Sequence, residues 1–230
     1  MSRIYGSIPH LPGSRVAADR TVAAAQARRC LDPLAARASE AVVVQEKLDG
    51  SCVAVVRNAR GEIEARGREG ALAAESRNDA RRMFAVWVDD HRARLEAVVR
   101  EGETLVGEWL ALVHGTRYEL AHEPFVAFDL LRPDRQRVTV DVLAARLAPS
   151  GLTMPGIVHR GGPLGIDAAC TLLGERGLHG AIDPPEGLVY RVERGGEVVL
   201  IAKWVRPTKI DGCLLPENSG REALYHWRPR

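Results

Sequence analysis

The chain has 230 residues, 46% of them hydrophobic, and its 32 Lys and Arg against 30 Asp and Glu leave a net charge of +2. That length and apolar share can bury one substantial core or two small ones, and the near-balance of charge neither demands nor excludes nucleic acid. No apolar run approaches the roughly 20 residues that span a membrane, and the first residues have no signal-peptide core, so no membrane and a cytoplasmic location are expected. The cysteines, Cys30, Cys52, Cys170 and Cys213, form no C-x-x-C pair and read as reduced thiols rather than a disulfide or zinc framework.

In chain order, residues 1 to about 16 read as an extended arm. The alanine-rich stretch from Asp19 to Leu34 predicts a helix. Val42 to Lys47 and Cys52 to Val56 read as strands around a turn, Asn58 to Gly61 as a second turn, and Glu62 to Arg66 as a returning strand. Asn78 is placed to cap a long helix reaching about Val99, with Met83, Val86, Trp87, Leu95 and Val98 near helical spacing. Strands follow at residues 104–110 and 125–130, then helices at 140–148 and 167–176. A hairpin at 188–193 and 198–205 turns through Gly195-Gly196. Hairpins predominate, so the expected fold is α+β, with two largely antiparallel sheets and flanking helices. Nothing in the composition marks a linker or repeat, so residues 1–230 read as one domain, with the arm at one end and a short Pro- and Gly-rich extension (about 207–230) at the other.

Lys47 carries the most information. It lies in Glu46-Lys47-Leu48-Asp49-Gly50-Ser51, directly after the apolar run Ala41-Val42-Val43-Val44, so a strand delivers a lysine to a turn beside a carboxylate and a glycine. A lysine amine is a strong nucleophile once neutral, and nearby cations or an apolar wall lower its pKa. A K-x-D-G tetrapeptide alone also describes a solvated hairpin corner, since Asp-Gly is itself a turn signal. Further along, and in order, come Gly107-Glu108-Trp109-Leu110, Phe125-Val126-Ala127-Phe128-Asp129, Glu186-Gly187-Leu188-Val189 and Ala202-Lys203-Trp204-Val205.

This ordered set resembles the motifs of the covalent nucleotidyltransferases, the superfamily of DNA ligases, RNA ligases and mRNA capping enzymes. The segment after Glu108, with His114-Gly115-Thr116-Arg117-Tyr118, is similar to the ATP-dependent RNA ligase branch. The resemblance implies an adenylation-type domain with the nucleotide between two sheets. It implies ATP as donor, magnesium or manganese as cofactor, lysyl-AMP on Lys47, and transfer of AMP to a nucleic-acid 5′-phosphate for joining to a 3′-hydroxyl.

By the same resemblance, Asp49 would orient the motif and the metal's water shell, and Arg66, in competition with Arg68, would contact the sugar and later the 5′ end. Glu108 would accept from a ribose hydroxyl, as a carboxylate can. Phe128 would stack on the base, and backbone groups flanking Glu46 and Lys47 would read its edge. Glu186 would hold the metal, with Asp49 near it. Lys203 would touch the α-phosphate and depress the pKa of Lys47. Many relatives carry a second lysine where this chain has Val205; either Arg206 or Lys209 substitutes for it, or the α-phosphate contact is single. His10, Ser14 and Arg15 in the arm read as packing residues first and as a cover or 5′-phosphate contact second.

The 27 residues after Lys203 are too few for an independent small domain such as an OB-fold. The alternatives are a DNA-nick ligase domain, a capping-type domain, or a nucleotide-binding module that needs a partner protein to grip nucleic acid.

Overall fold

Period-two burial along the strands builds the molecule. A computed structural model describes residues 3–15 and 20–229. Eight strands run β1 (Ala41–Lys47), β2 (Ser51–Arg57), β3 (Ile63–Gly67), β4 (Thr104–Trp109), β5 (Phe125–Leu131), β6 (Ile157–Gly161), β7 (Gly187–Arg194) and β8 (Glu197–Val205). They form two four-stranded sheets, ordered β6-β1-β7-β8 and β3-β2-β4-β5, and every strand pair is antiparallel. The α+β expectation holds.

Each sheet buries one face under helices. On the first, Val42, Val44, Leu188, Tyr190 and Ala202 pack against α1 (Ala24–Leu31) and α5 (Ile166–Leu173). On the second, Val53, Val55, Leu105 and Trp109 pack against α2 (Asp79–Asp90) and α3 (Arg92–Val98). Alternation therefore turns Gln45, Lys47, Val189, Arg191 and Lys203 on one sheet, and Cys52, Glu108 and Phe128 on the other, toward the space between them. A buried tie crosses that space. Arg191 donates to Gln45 Oε1 at 3.0 Å on its own sheet and to Asp129 Oδ1 at 3.1 Å on the other.

Several expected boundaries move for local reasons. Asp19 lies outside the described residues, and the first helix starts only at Ala24, because Val22 donates to the His10 carbonyl and keeps the chain extended. It ends at extended Asp32, just before Pro33. The predicted 78–99 helix is two. Asn78 caps the first through the Arg81 amide, and His91, outside helical geometry, divides it from α3. Val86, expected to face inward, is exposed; Ala80, Phe84, Trp87 and Val88 form the buried stripe. The helix α4 (Val140–Leu147) tightens into a 3-10 turn after Leu147. Gly195 and Gly196, at φ 58° and 81°, make the expected hairpin turn.

The described parts of the arm and of the extension are built into this frame. The arm runs beside β8, with the Leu11 amide donating to the Lys203 carbonyl at 2.7 Å and the Lys203 amide to that of Pro9 at 3.0 Å. The extension contains a one-turn helix, α6 (Pro216–Ser219). It returns to the segment after β4, where His226 donates to the Ala111 carbonyl and Trp227 packs edge-on against Trp109. No helix among the described residues is long and apolar enough to cross a membrane.

Candidate active site

Lys47 ends β1, and the turn that follows is forced by close packing. A Cβ on Gly50 would lie 2.6 Å from the Trp109 carbonyl oxygen, so only glycine lets this corner sit against β4. Glu186 precedes the first residue of β7, whose Gly187 pairs with Lys47. That register sets the Glu186 carboxylate 2.6 Å from Lys47 Nζ, in a pair that is largely buried on both sides.

Two connected spaces meet at Lys47. The inner one, about 110 Å³, is mostly apolar and is walled by Phe128, Val189, Ile8, Tyr5 and Leu48. The outer one, about 520 Å³, is polar and includes Asp49, Glu186, His114, His10 and Asp211. Lys47, Arg68, Glu108 and Lys203 line both. Phe128 reaches the inner space through a bulge: Val106 pairs with Asp129 and Gly107 with Ala127, leaving Phe128 as the extra residue. Such a bulge re-aims one side chain, and here it sets Phe128 edge-on to Tyr5, centroids 5.4 Å apart. The Tyr5 hydroxyl donates to Asp129 at 2.7 Å, which holds the arm against the cavity.

The electrostatics depart from expectation at Lys47. Burial works to lower the Lys47 pKa, but Glu186 above all, with Glu108 and Asp49, outweighs it and holds the ammonium well above the ordinary lysine value. Lys203 therefore does not set the charge state of Lys47; its own pKa is lowered, by burial and then by Lys47. Burial pushes Glu108 up to about 7 against the pull of Lys47, and its Oε1 accepts from the Gly50 amide at 3.0 Å. Burial also raises Glu46 to about 7. The Glu46 Oε2 accepts from the Leu178 amide at 2.6 Å, so its carboxylate is tied to the scaffold while the residue lines the inner space.

The family model for RNA ligases matches residues 40–205. The chain belongs to the RNA ligase family. Comparison with curated protein sequences finds no match. Among solved structures, it is similar to a mutant Naegleria gruberi RNA ligase with ATP and manganese, at TM-score 0.53 and 21% identity, over 73% of this chain and 49% of that one. It is similar to a mutant of the same ligase with AMP and manganese, at TM-score 0.53 and 20% identity, over 73% and 50%. A ligand-free mutant matches at TM-score 0.52 and 21% identity, over 80% of this chain and 52% of that one. The chain thus spans about half the length of these structures, and at such identities the likeness concerns the fold.

Within this RNA ligase family domain, Lys47, Glu108, Phe128, Glu186 and Lys203 are brought together around the two spaces. Arg66 is not. Glu64, two residues earlier on the same strand face, binds its guanidinium at 2.7 Å, and the Gly70 carbonyl accepts from it at 2.6 Å. The competing Arg68 takes the place at the cavity, fixed by its Nε–H to the Tyr5 carbonyl and by Nη2 to the Ser7 hydroxyl, both at 3.0 Å.

Asp49 lines the outer space with Glu186, and one of its carboxylate oxygens is already engaged. Its Oδ2 accepts from the Gly115 amide at 2.8 Å and from Lys209 Nζ at 2.5 Å. Among the described residues no three His, Cys, Asp or Glu converge to hold an ion by themselves. Magnesium, however, needs only one or two carboxylates beside waters and phosphates, and Glu186, lining the outer space beside Lys47, fits that role.

Of the two candidates to stand in for a lysine at Val205, neither lines the inner or the outer space, and Lys209 is the one beside the motif turn. It is buried against Asp49 and against Thr116 Oγ1 at 2.6 Å, whereas Arg206 donates to the Pro185 carbonyl and lines a separate surface hollow. Sequence reading missed Tyr5, Gln45 and Arg191. Alternation from Lys47 and Lys203 points to the last two. Nothing local marks Tyr5.

Proposed function

We propose that this chain is the nucleotidyltransferase part of an ATP-dependent RNA ligase. It would form lysyl-AMP on Lys47 and pass AMP to a 5′-phosphate, which a 3′-hydroxyl would then attack, forming the phosphodiester and expelling AMP. The carrying observation is the position of Lys47 Nζ at the junction of an apolar, aromatic-walled space and an open polar one. A base fits the first and phosphates the second, which puts the α-phosphorus between them, at the amine. Phe128 would stack on the base, a contact worth on the order of 1–3 kcal/mol, and Glu108 would accept from a ribose hydroxyl. Arg68 and Lys203, lining both spaces, would face the phosphates.

In the first step Nζ attacks the α-phosphorus, the Nζ–P bond forms, and the bond to the bridging oxygen breaks to release pyrophosphate. Lys47 must first lose to solvent the proton that Glu186 stabilises. A magnesium or manganese ion at Glu186 would supply positive charge for the triphosphate and remove the counter-ion that keeps Nζ protonated. Asp49 then acts by orienting the turn, with Lys209 and the Gly115 amide fixing its carboxylate.

The test is incubation with ATP labelled at the α-phosphate and magnesium, followed by denaturing electrophoresis. The protein band should carry acid-labile label, and Lys47→Ala should carry none. Label that survives in Lys47→Ala would overturn the assignment of the nucleophile.

A further inference from the structure

On the far side of Lys47 from the base space, the outer chamber is lined by residues that none of the sequence motifs contains. The arm supplies His10 and Arg15, the segment after it Arg20, and the extension Asp211. Arg15 and Arg20 are exposed at the rim, while His10 is buried deeper. His10 is pushed down to about 4 by burial and by Lys203 and Lys47, so at neutral pH it offers a neutral ring with Nδ1 already 2.7 Å from Ser14 Oγ. Arg15 pairs with Asp211 at 3.1 Å, an ion pair joining arm and extension across the chamber. The inner wall holds the acidic groups Glu186, Glu108 and Asp49, and Arg68 and Lys203 lie between. Cations thus outline a path from the rim to Lys47, and the outermost one is held in reserve by a carboxylate.

We propose that Arg15 and Arg20, with Arg68 and Lys203 further in, bind the terminal 5′-phosphate monoester of the polynucleotide strand that receives AMP, and that Asp211 competes with that phosphate for Arg15. This rests on the ligase reading above. A phosphate monoester suits the site because guanidinium groups bind phosphate through two parallel donors. A polymer end must arrive from outside, where the exposed arginines stand. In the step served, a 5′-phosphate oxygen attacks the adenylyl phosphorus, a P–O bond forms and the Nζ–P bond breaks. The electron pair returns to Nζ, which takes a proton from solvent. The same chemistry has a second source, the pyrophosphate that leaves in the first step, so the two must be told apart.

The experiment uses the full chain with short RNA strands that differ only in a 5′-phosphate or a 5′-hydroxyl. Binding is read by fluorescence anisotropy in the Lys47→Ala background, so that it does not depend on self-adenylylation. The phosphorylated strand should bind about tenfold tighter, and Arg15→Ala with Arg20→Ala should remove most of that increment. Asp211→Asn should enlarge the increment, whereas a role of the ion pair as a mere clasp would shrink it. Pre-adenylylated protein is then given either the phosphorylated strand or pyrophosphate. The double variant should slow transfer to the strand about tenfold more than it slows pyrophosphate-driven return of ATP. An increment absent from the parent or unaltered by the double variant, or reversal slowed as much as transfer, would overturn the proposal. Failure of the parent to take label would instead count against the ligase reading, and the binding comparison would still decide this one.

Discussion

Replacing Glu108 by Gln should make the protein more stable and a poorer nucleotide binder. Burial moves this carboxyl from 4.5 to about 7, against the attraction of Lys47 and with added repulsion from Glu186 and Asp49. A carboxyl with a raised folded pKa favours the fold while protonated, so its contribution is fully present below 4.5 and is lost as pH rises through about 7. At about 1.4 kcal/mol per pKa unit the loss is roughly 3 kcal/mol, and residual solvent exposure reduces it to about 1–2 kcal/mol. The carboxamide keeps an oxygen for the Gly50 amide and never ionises. Glu108→Gln should therefore melt about 2–8 °C higher at pH 8, with the gain shrinking toward pH 5. It should bind ATP about ten- to a hundredfold more weakly, because a hydrogen bond to a charged acceptor is lost. Calorimetric melts at pH 5, 6, 7 and 8, with titration of ATP at pH 8, would measure both. A melting difference of equal size at every pH would refute the linkage argument, and unchanged ATP affinity would refute the ribose role.

Phe128→Leu should weaken ATP and GTP alike, by about 1–3 kcal/mol in titration calorimetry, because stacking does not distinguish the purines; a loss confined to ATP would show that the ring takes part in base choice. Asp129→Asn leaves the buried Arg191 without its ion-pair partner and takes charge from the site that holds Tyr5 and Arg137. It should cost about 3–5 kcal/mol and lower the melting temperature by about 6–20 °C, and a melting curve that moves by less than 2 °C would show that this tie is not structural.

The strands were readable from sequence because their apolar alternation is strong, and the candidate site was readable because its motifs end or begin those strands. The missed strand β6 had no such signal. Its residues are mostly exposed or half-buried, and it exists because β1 offers it a template edge. The division at His91 was hidden because the apolar spacing continues across it. Arg66 and Arg68 could not be separated from spacing alone, since the choice depends on Glu64 capturing one of them. A further signal lay in composition. Lys47, Lys203 and Lys209 are the only lysines in the chain, which otherwise uses arginine. Arginine stays charged under all ordinary conditions, whereas an ammonium can lose its proton or fit a small buried socket. Two of the three line the candidate site, and the third is bonded to Asp49.

The pairings at the site join distant parts of the chain. Lys47 meets Glu186 across 139 positions and Lys209 meets Asp49 across 160. Such contacts form late, after the loops between them have closed. During synthesis, Lys47 emerges long before the carboxylate that pairs with it or the lysine that steadies its turn. A growing chain can fold its second sheet, whose strands all precede residue 132, while Lys47 is still without these partners. Assembly of the candidate site thus waits until most of the chain has been made, and a chain stopped short of β7 would have the lysine without the site.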